Sequence, residues 1–204
     1  SLSQAFADIQ RQTGYTQEEL DFIRQTASDL GLEYLSTAES AKTFFAAAAP
    51  TSMKGKAREI FTAFSEAGTA MSLSSEQMSG VFLALGQMIS KGKVQAEELR
   101  GQLGERLPGA FQLAAQAMGM TTAELDKFMA DGKLTAEDLL PKLAKVMEEK
   151  FAGAAKESAK TLSASLNNMY SEWEQFKADY QFQKSISTDN LNPDVFFLQK
   201  NKSR

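Results

Sequence analysis

Apolar residues recur at intervals of three and four along most of this 204-residue chain. That spacing places them on one face of an α-helix, whereas a half-buried β-strand needs strict alternation of apolar and polar residues. Alternating stretches are missing, and the 14 phenylalanines sit at helical intervals. The pattern therefore predicts an all-α fold, a multi-helix domain with a long, heptad-patterned C-terminal helix.

Capping residues mark where these helices start and stop. A Ser or Thr followed three residues later by Glu or Gln can form a capping box, in which both side chains satisfy free backbone N–H groups. The spacing occurs at Thr16 with Glu19, Ser74 with Gln77, Thr121 with Glu124 and, with a weaker Asp, Thr135 with Asp138. Helix ends are predicted at Gly31, Pro50, Gly92, Gly119 and Gly132. These signals predict helices over residues 3–13, 17–30, 37–49, 54–71, 75–91, 95–104, 108–118, 122–131, 136–150 and 153–184.

Two of the predicted helices carry apolar faces that we expect to form the core. One face consists of Ile60, Phe61, Phe64 and Ala67, and the next helix presents Met78, Phe82, Leu85 and Ile89. A stripe of Phe and Met can also line an apolar groove for a ligand or a partner. The favoured interpretation is an ordinary core between helices, with Met filling its gaps.

The side-chain inventory excludes several classes of function. The sequence contains no Cys and no His, which excludes disulfides, Cys or His zinc sites, and Ser-His-Asp or Cys-His catalysis within this chain. Its 22 basic and 26 acidic residues are mixed, with a net charge of −4, which argues against a nucleic-acid surface. No apolar run approaches the roughly 20 residues that cross a bilayer, and no signal peptide is visible. We therefore predict no cofactor, no metal site, and no direct binding of nucleic acid or membrane.

The C-terminal third has a heptad pattern, which is typical of helices that supercoil about each other. Its apolar residues, at spacings of four and three, are Ala155, Ala159, Leu162, Leu166, Met169, Trp173, Phe176 and Tyr180. The helix either packs back across the earlier helices, or it self-associates or continues into a longer rod. For the second case the predicted self-association residues are Leu162, Leu166, Met169, Trp173, Phe176 and Tyr180.

The pattern divides the chain into three parts. Residues 1–150 are predicted to form a compact helical domain, residues 151–185 a long amphipathic helix, and residues 186–204 an irregular tail. The tail contains Pro193 and has no helical period. It is interpreted as a flexible tail, an ordered strap, or sequence foreign to the domain.

One phrase occurs twice in the middle of the chain, as GKVQAEEL over residues 92–99 and as GKLTAEDL over residues 132–139. In each copy a Gly ends one helix, an apolar residue (Val94 or Leu134) anchors the loop in the core, and acidic residues begin the next helix. Repeat arrays need at least about three copies, so we infer a duplicated helical hairpin instead.

Between the two copies lies the turn Leu107-Pro108-Gly109-Ala110. Pro108 is predicted in the first turn of its helix, and the small residues after it are expected to let another backbone approach closely. Nearby, Glu97 or Glu98 could pair with Glu105 as the acid and base of a glycosidase. The favoured alternative is a network of surface ion pairs between these glutamates and Arg100 and Arg106.

The same region resembles a known family. Residues 92–125 read GKVQAEELRGQLGERLPGAFQLAAQAMGMTTAEL and strongly resemble the tape measure domain of tailed-phage and prophage tail proteins. The following DGKLTAEDLLPKLAKVM, and then Asn167-Asn168-Met169 leading to Trp173 and Phe176, look like the family's continuation. The resemblance covers residues 55–180, is loose over residues 1–54 and is absent beyond Ser185.

The resemblance implies a structural, non-enzymatic virion protein that takes part in tail assembly. Members help set the length of the tail tube and leave the tail on genome ejection. The implied partners are tail tube and tail tip proteins and tail assembly chaperones. The heptad pattern adds further copies of the chain, through the C-terminal helix, as a predicted partner. The implied locations are the virion tail and, during assembly, the host cytoplasm. A peptidoglycan-cleaving module of a tail protein and a generic helical adaptor are the alternatives.

Overall fold

The structure of the chain, a computed structural model, describes Arg11, the backbone of residues 16–189 and the side chains of residues 16–178. The α-helices are α1 (Gln17–Leu30), α2 (Tyr34–Ala48), α3 (Ala57–Ala70), α4 (Ser75–Lys91), a single turn α5 (Gly104–Arg106), α6 (Ala110–Met118), α7 (Thr122–Ala130) and α8 (Ala136–Asp189). A 3-10 helix (Ser52–Lys56) precedes α3, and a π-helix (Glu97–Leu103) precedes α5. No β-strand occurs within residues 16–189, so the predicted all-α fold is confirmed.

Reciprocal caps define the starts of α1 and α4. The Glu19 N–H donates to Thr16 Oγ1 at 3.2 Å, and the Thr16 N–H donates to Glu19 Oε2 at 2.7 Å. Ser74 and Gln77 make the same pair of hydrogen bonds at 3.1 and 2.9 Å. The capping boxes predicted at Thr16 and Ser74 are therefore confirmed, while the one predicted at Thr121 is present only in its threonine half. At the starts of α7 and α8 the predicted threonine hydroxyl accepts a hydrogen bond from the backbone N–H three residues later.

Some helix boundaries differ from the prediction. Helix α2 begins at Tyr34, three residues early, because the carboxylate of Glu33 caps it by accepting from the N–H groups of Leu35 and Ser36 at 3.0 and 2.7 Å. Glu is not among the preferred capping residues, so the sequence signal is weak there. The predicted helix over 54–71 is divided between the 3-10 helix and α3. The predicted helix over 3–13 lies outside the described residues, apart from Arg11.

Helix α8 is continuous where the sequence predicts two helices. The expected break between residues 150 and 153 is wrong, since Gly153 is helical and is followed by alanines, which strongly favour a helix. The backbone of residues 186–189, which the sequence assigned to an irregular tail, is also helical. The rest of that predicted tail, residues 190–204, lies outside the described residues.

The predicted apolar faces of α3 and α4 form the core. Ile60, Phe61, Phe64 and Ala67 are completely buried, and Met78, Phe82, Leu85 and Ile89 are at most 6% exposed. Phe61 stacks on Phe82 with ring centroids 4.6 Å apart, and Phe44 of α2 lies 5.7 Å from Phe82. Each buried ring contributes about 1.5–3 kcal/mol through the hydrophobic effect. The interpretation of this stripe as core is thus confirmed.

Packing divides the chain into two compact units, residues 1–160 and residues 161–204. In the first unit, Ala155 and Ala159 of α8 are buried. In the second unit, every side chain of residues 161–178 is exposed. Within residues 16–189, no helix combines the length and the apolar character needed to cross a membrane.

Candidate interaction surfaces

The two copies of the repeated phrase are hydrogen-bonded to each other. The Val94 N–H donates to the Leu134 carbonyl at 2.9 Å, and the Ala136 N–H donates to the Gly92 carbonyl at 3.0 Å. Val94 and Leu134 are both buried, which confirms their predicted role as anchors. The contact itself was missed, because a repeat indicates equivalent local structure and not that the copies touch.

Glu98, one of the proposed catalytic carboxylates, is completely buried at the start of the π-helix. Its Oε1 accepts a hydrogen bond from Nζ of Lys91, at the end of α4. That hydrogen bond raises the pKa of Lys91 above its usual range. A buried Glu98 cannot reach a polymeric substrate. Of the predicted acid and base residues, only Glu97 and Glu105 are exposed. The buried carboxylate instead links two consecutive helices.

Arg100 joins three helices instead of forming the predicted surface network with neighbouring glutamates. Its guanidinium donates to both carboxylate oxygens of Asp126, through Nε at 3.2 Å and through Nη2 at 2.6 Å. The same group lies 3.7 Å from the centre of the Phe111 ring. The π-helix, α6 and α7 are therefore connected by one side chain. Sequence spacing did not indicate this, since Asp126 lies 26 residues away.

The Leu107–Ala110 turn also differs from its prediction. Pro108 lies in the turn, and α6 begins only at Ala110. Gly109 has φ of 87°, and a Cβ at this position would have no atom within 4 Å. Glycine is therefore favoured here by the backbone conformation and not by a close contact. The close approach occurs at Gly80 of α4, where a Cβ would lie 2.0 Å from Nε of Arg106.

The C-terminal half of α8 carries an exposed apolar row, here called the C-terminal ridge. Its residues and exposed fractions are Leu162 (43%), Leu166 (54%), Met169 (64%), Trp173 (56%) and Phe176 (58%). Trp173 and Phe176 stack on each other with ring centroids 5.6 Å apart. Tyr180, the sixth predicted self-association residue, lies on the helical backbone, but its side chain is outside the described ones. Monomeric soluble proteins rarely expose a large continuous apolar patch, so the ridge is the candidate interaction surface.

The heptad pattern thus has two different surroundings along α8. Ala155 and Ala159 are 0% and 7% exposed, because they pack within the first unit. From Leu162 to Phe176 the same register is exposed. Ala155 and Ala159 therefore fit the prediction that the helix packs back across the earlier helices. For the ridge, self-association or continuation into a longer rod stays the prediction.

Comparisons with known proteins agree on one family. A family model described as "Tape measure protein" matches residues 2–181. The "Probable tape measure protein" of Salmonella phage Felix O1 (isolate Felix O1-VT1) is 40% identical over 161 residues, or 78% of this chain. This chain spans 22% of that relative's length. No solved structure matches the chain. The family match begins well before residue 55, where the predicted resemblance starts, and its end at residue 181 lies close to the predicted end.

Proposed function

The chain belongs to the tape measure protein family, and on that premise we propose that it is a folded region of a ruler that helps set the length of a phage tail tube. Family membership supports a structural role in the phage tail. Even wholly helical, 204 residues would extend only about 300 Å at about 1.5 Å per residue. Together with its 22% share of the relative's length, this supports one segment of a longer ruler.

The proposal extends to the protein's location and partners. The protein meets tail tube and tail tip proteins in the virion tail and tail assembly chaperones in the host cytoplasm, and it is released from the tail on genome ejection. Family membership supports this assignment. Immunoblots of purified particles with an antibody against the chain should detect the protein in intact virions and should find it lost from particles that have ejected their genome. Retention of the protein in emptied tails would contradict release.

The observation that carries an assembly role is the C-terminal ridge. We propose that the ridge binds further copies of the same chain. Its five described side chains are about half exposed. Burying the exposed half of each side chain contributes about 1 kcal/mol. Two copies would gain about 10 kcal/mol, against an association cost of about 4–15 kcal/mol. Self-association is therefore expected to be weak in dilute solution and favoured at the high local concentration of a tail.

Sedimentation equilibrium of the 204-residue chain tests self-association. We expect wild-type protein to associate with increasing concentration, and Trp173→Glu to weaken the association at least about tenfold, because it places a charge in the apolar contact. The matched control is Ala164→Glu, an exposed position on the opposite side of the same helix. A wild-type chain that stays monomeric up to millimolar concentration would refute this part of the proposal.

Tail length tests the ruler. Duplicating residues 161–181 in the parent phage gene adds three heptads and preserves the heptad register, so tails should lengthen by about 30 Å at about 1.5 Å per residue. The control is a flexible insertion of equal length in the loop at Gly119, which extends no helix. Electron microscopy of the virions measures both, and unchanged tails in the duplication would count against a ruler role for this helix.

A further inference from the structure

We propose that the second copy on the C-terminal ridge lies parallel and in register, with Glu172 of one copy paired with Lys177 of the other. This rests on the self-association proposed above, and it adds the direction of the two helices and the charged residues that select it. The inference follows from the ridge residues, from the side chains that flank them, and from how parallel and antiparallel helices bring those flanks together.

The ridge determines the heptad register of α8. With Leu166 and Trp173 at the a positions, the d positions are Leu162, Met169 and Phe176. The flanking g positions are then Ser158, Ser165, Glu172 and Asp179, and the flanking e positions are Lys156, Ser163, Tyr170, Lys177 and Lys184. Every acidic flanking residue is therefore at g, and every basic one is at e.

This segregation of charge distinguishes the two directions. In a parallel pair, each g residue faces the e residue five positions later in its partner. Glu172 then faces Lys177, and in sequence Asp179 is followed by Lys184 at the same interval. In an antiparallel pair, g faces g and e faces e, so a charged flanking residue meets a like charge or a neutral residue in every register. Charge complementarity therefore favours the parallel arrangement.

The geometry of the exposed helix agrees with these roles. Glu172 lines a shallow surface groove together with Met169, Trp173 and Phe176, so its side chain borders the ridge. Lys177 is about half exposed and donates to Glu174 of its own helix at 2.6 Å. An ammonium group has three N–H donors, so this contact leaves donors for a carboxylate of a second copy. Exposed pairs within one helix are weak and readily shared.

Charge reversal in the full 204-residue chain tests the pairing. Glu172→Lys and Lys177→Glu should each weaken dimerisation about five- to tenfold, because two attractive contacts per dimer become repulsive. Combining both substitutions should restore the wild-type dissociation constant to within about twofold. Glu157→Lys, which changes the net charge equally at an exposed position of the same helix outside the ridge and its flanks, is the control and should have little effect. A double variant no tighter than the single ones would overturn the pairing.

Single cysteines test the direction, since the chain has no native Cys. The variants Leu162→Cys and Phe176→Cys are mixed and oxidised, and one of them carries a tag so that the disulfide-linked species differ in size. A parallel dimer should form 162–162 and 176–176 disulfides. A predominant 162–176 disulfide would overturn the parallel arrangement and leave self-association intact. A monomer by sedimentation, with no disulfide of any kind, would overturn self-association as well. Membership of the tape measure family is independent of all these results.

Discussion

Helix α4 and the C-terminal ridge of α8 carry the same kind of apolar spacing but differ in what covers it. The apolar face of α4 is at most 6% exposed, while the ridge side chains are 43–64% exposed. Helical periodicity tells which residues share a face. It does not tell whether the chain itself supplies the surface that buries that face. The comparison therefore separates a pattern used for folding from a pattern left for assembly.

The same substitution in the two regions should have very different effects on stability. Phe82 is 1% exposed and packs against Phe44 and Phe61, so Phe82→Ala should lower the free energy of unfolding by about 3–5 kcal/mol. Phe176→Ala removes a ring that is 58% exposed, and the expected loss is under about 0.5 kcal/mol in dilute protein. Urea denaturation followed by circular dichroism measures both, and equal losses would contradict the contrast.

Loss of the Arg100 side chain should weaken the first unit without affecting the ridge. Arg100→Ala removes the paired hydrogen bonds to Asp126 and the contact with the Phe111 ring. The two charged side chains are about half exposed, so we expect a loss of about 1–2 kcal/mol. Arg100→Lys keeps the charge but lacks the planar guanidinium that donates to both carboxylate oxygens. Its stability should therefore lie between those of wild type and Arg100→Ala. The control Lys127→Ala, next to Asp126, should be nearly neutral. An Arg100→Ala variant as stable as the control would show that this contact contributes nothing.

Two glycines offer a comparison of backbone effects with opposite signs. Gly92 has φ of 76°, a conformation that side chains resist, so Gly92→Ala should destabilise the protein by about 1–2 kcal/mol. Gly153 is helical, with open space around a Cβ, so Gly153→Ala should stabilise it by about 0.5–1 kcal/mol. Thermal unfolding midpoints give the signs, and a stabilised Gly92→Ala variant would contradict the first expectation.

The smallest expected effect depends on pH. Burial raises the pKa of Glu66 in α3, nearby Glu148 in α8 raises it further, and Lys156 opposes the shift. A carboxyl whose pKa is raised by folding contributes stability that is complete below its unfolded pKa and is lost as pH rises through its folded pKa. Glu66→Gln should therefore raise the unfolding midpoint at pH 7–8 and match wild type near pH 3. Exposed Glu149→Gln is the control, and a Glu66→Gln benefit that persists in acid would contradict this origin.

Local features were largely predictable from sequence. The caps at Thr16 and Ser74 and the core faces of α3 and α4 depend on residues within a turn or two of each other, and they were found correctly. The missed features join distant residues. Arg106 lies over Gly80, Arg100 reaches Asp126, and neither spacing carries a local signal. The predicted break before Gly153 failed because one glycine among strong helix formers does not end a helix.

The candidate site was predictable in part for the same reason. The heptad register identified the ridge residues, since a and d positions follow from spacing. Their exposure was not evident, because Ala155 and Ala159 continue the same register into the buried first unit. Likewise, the acidic pair of the repeated phrase was identified as a helix start, but the burial of Glu98 against Lys91 depends on how α4 meets the π-helix.

By itself the sequence determined the all-α class, the residues that share each apolar face, and the absence of cysteine and histidine chemistry. These follow from backbone hydrogen bonding and side-chain direction over three or four residues. Only the tertiary structure decided which faces the chain covers, which carboxylate is buried, and that the repeated phrases bond to each other. Burial depends on contacts between residues far apart in the chain, and a local period carries no information about them.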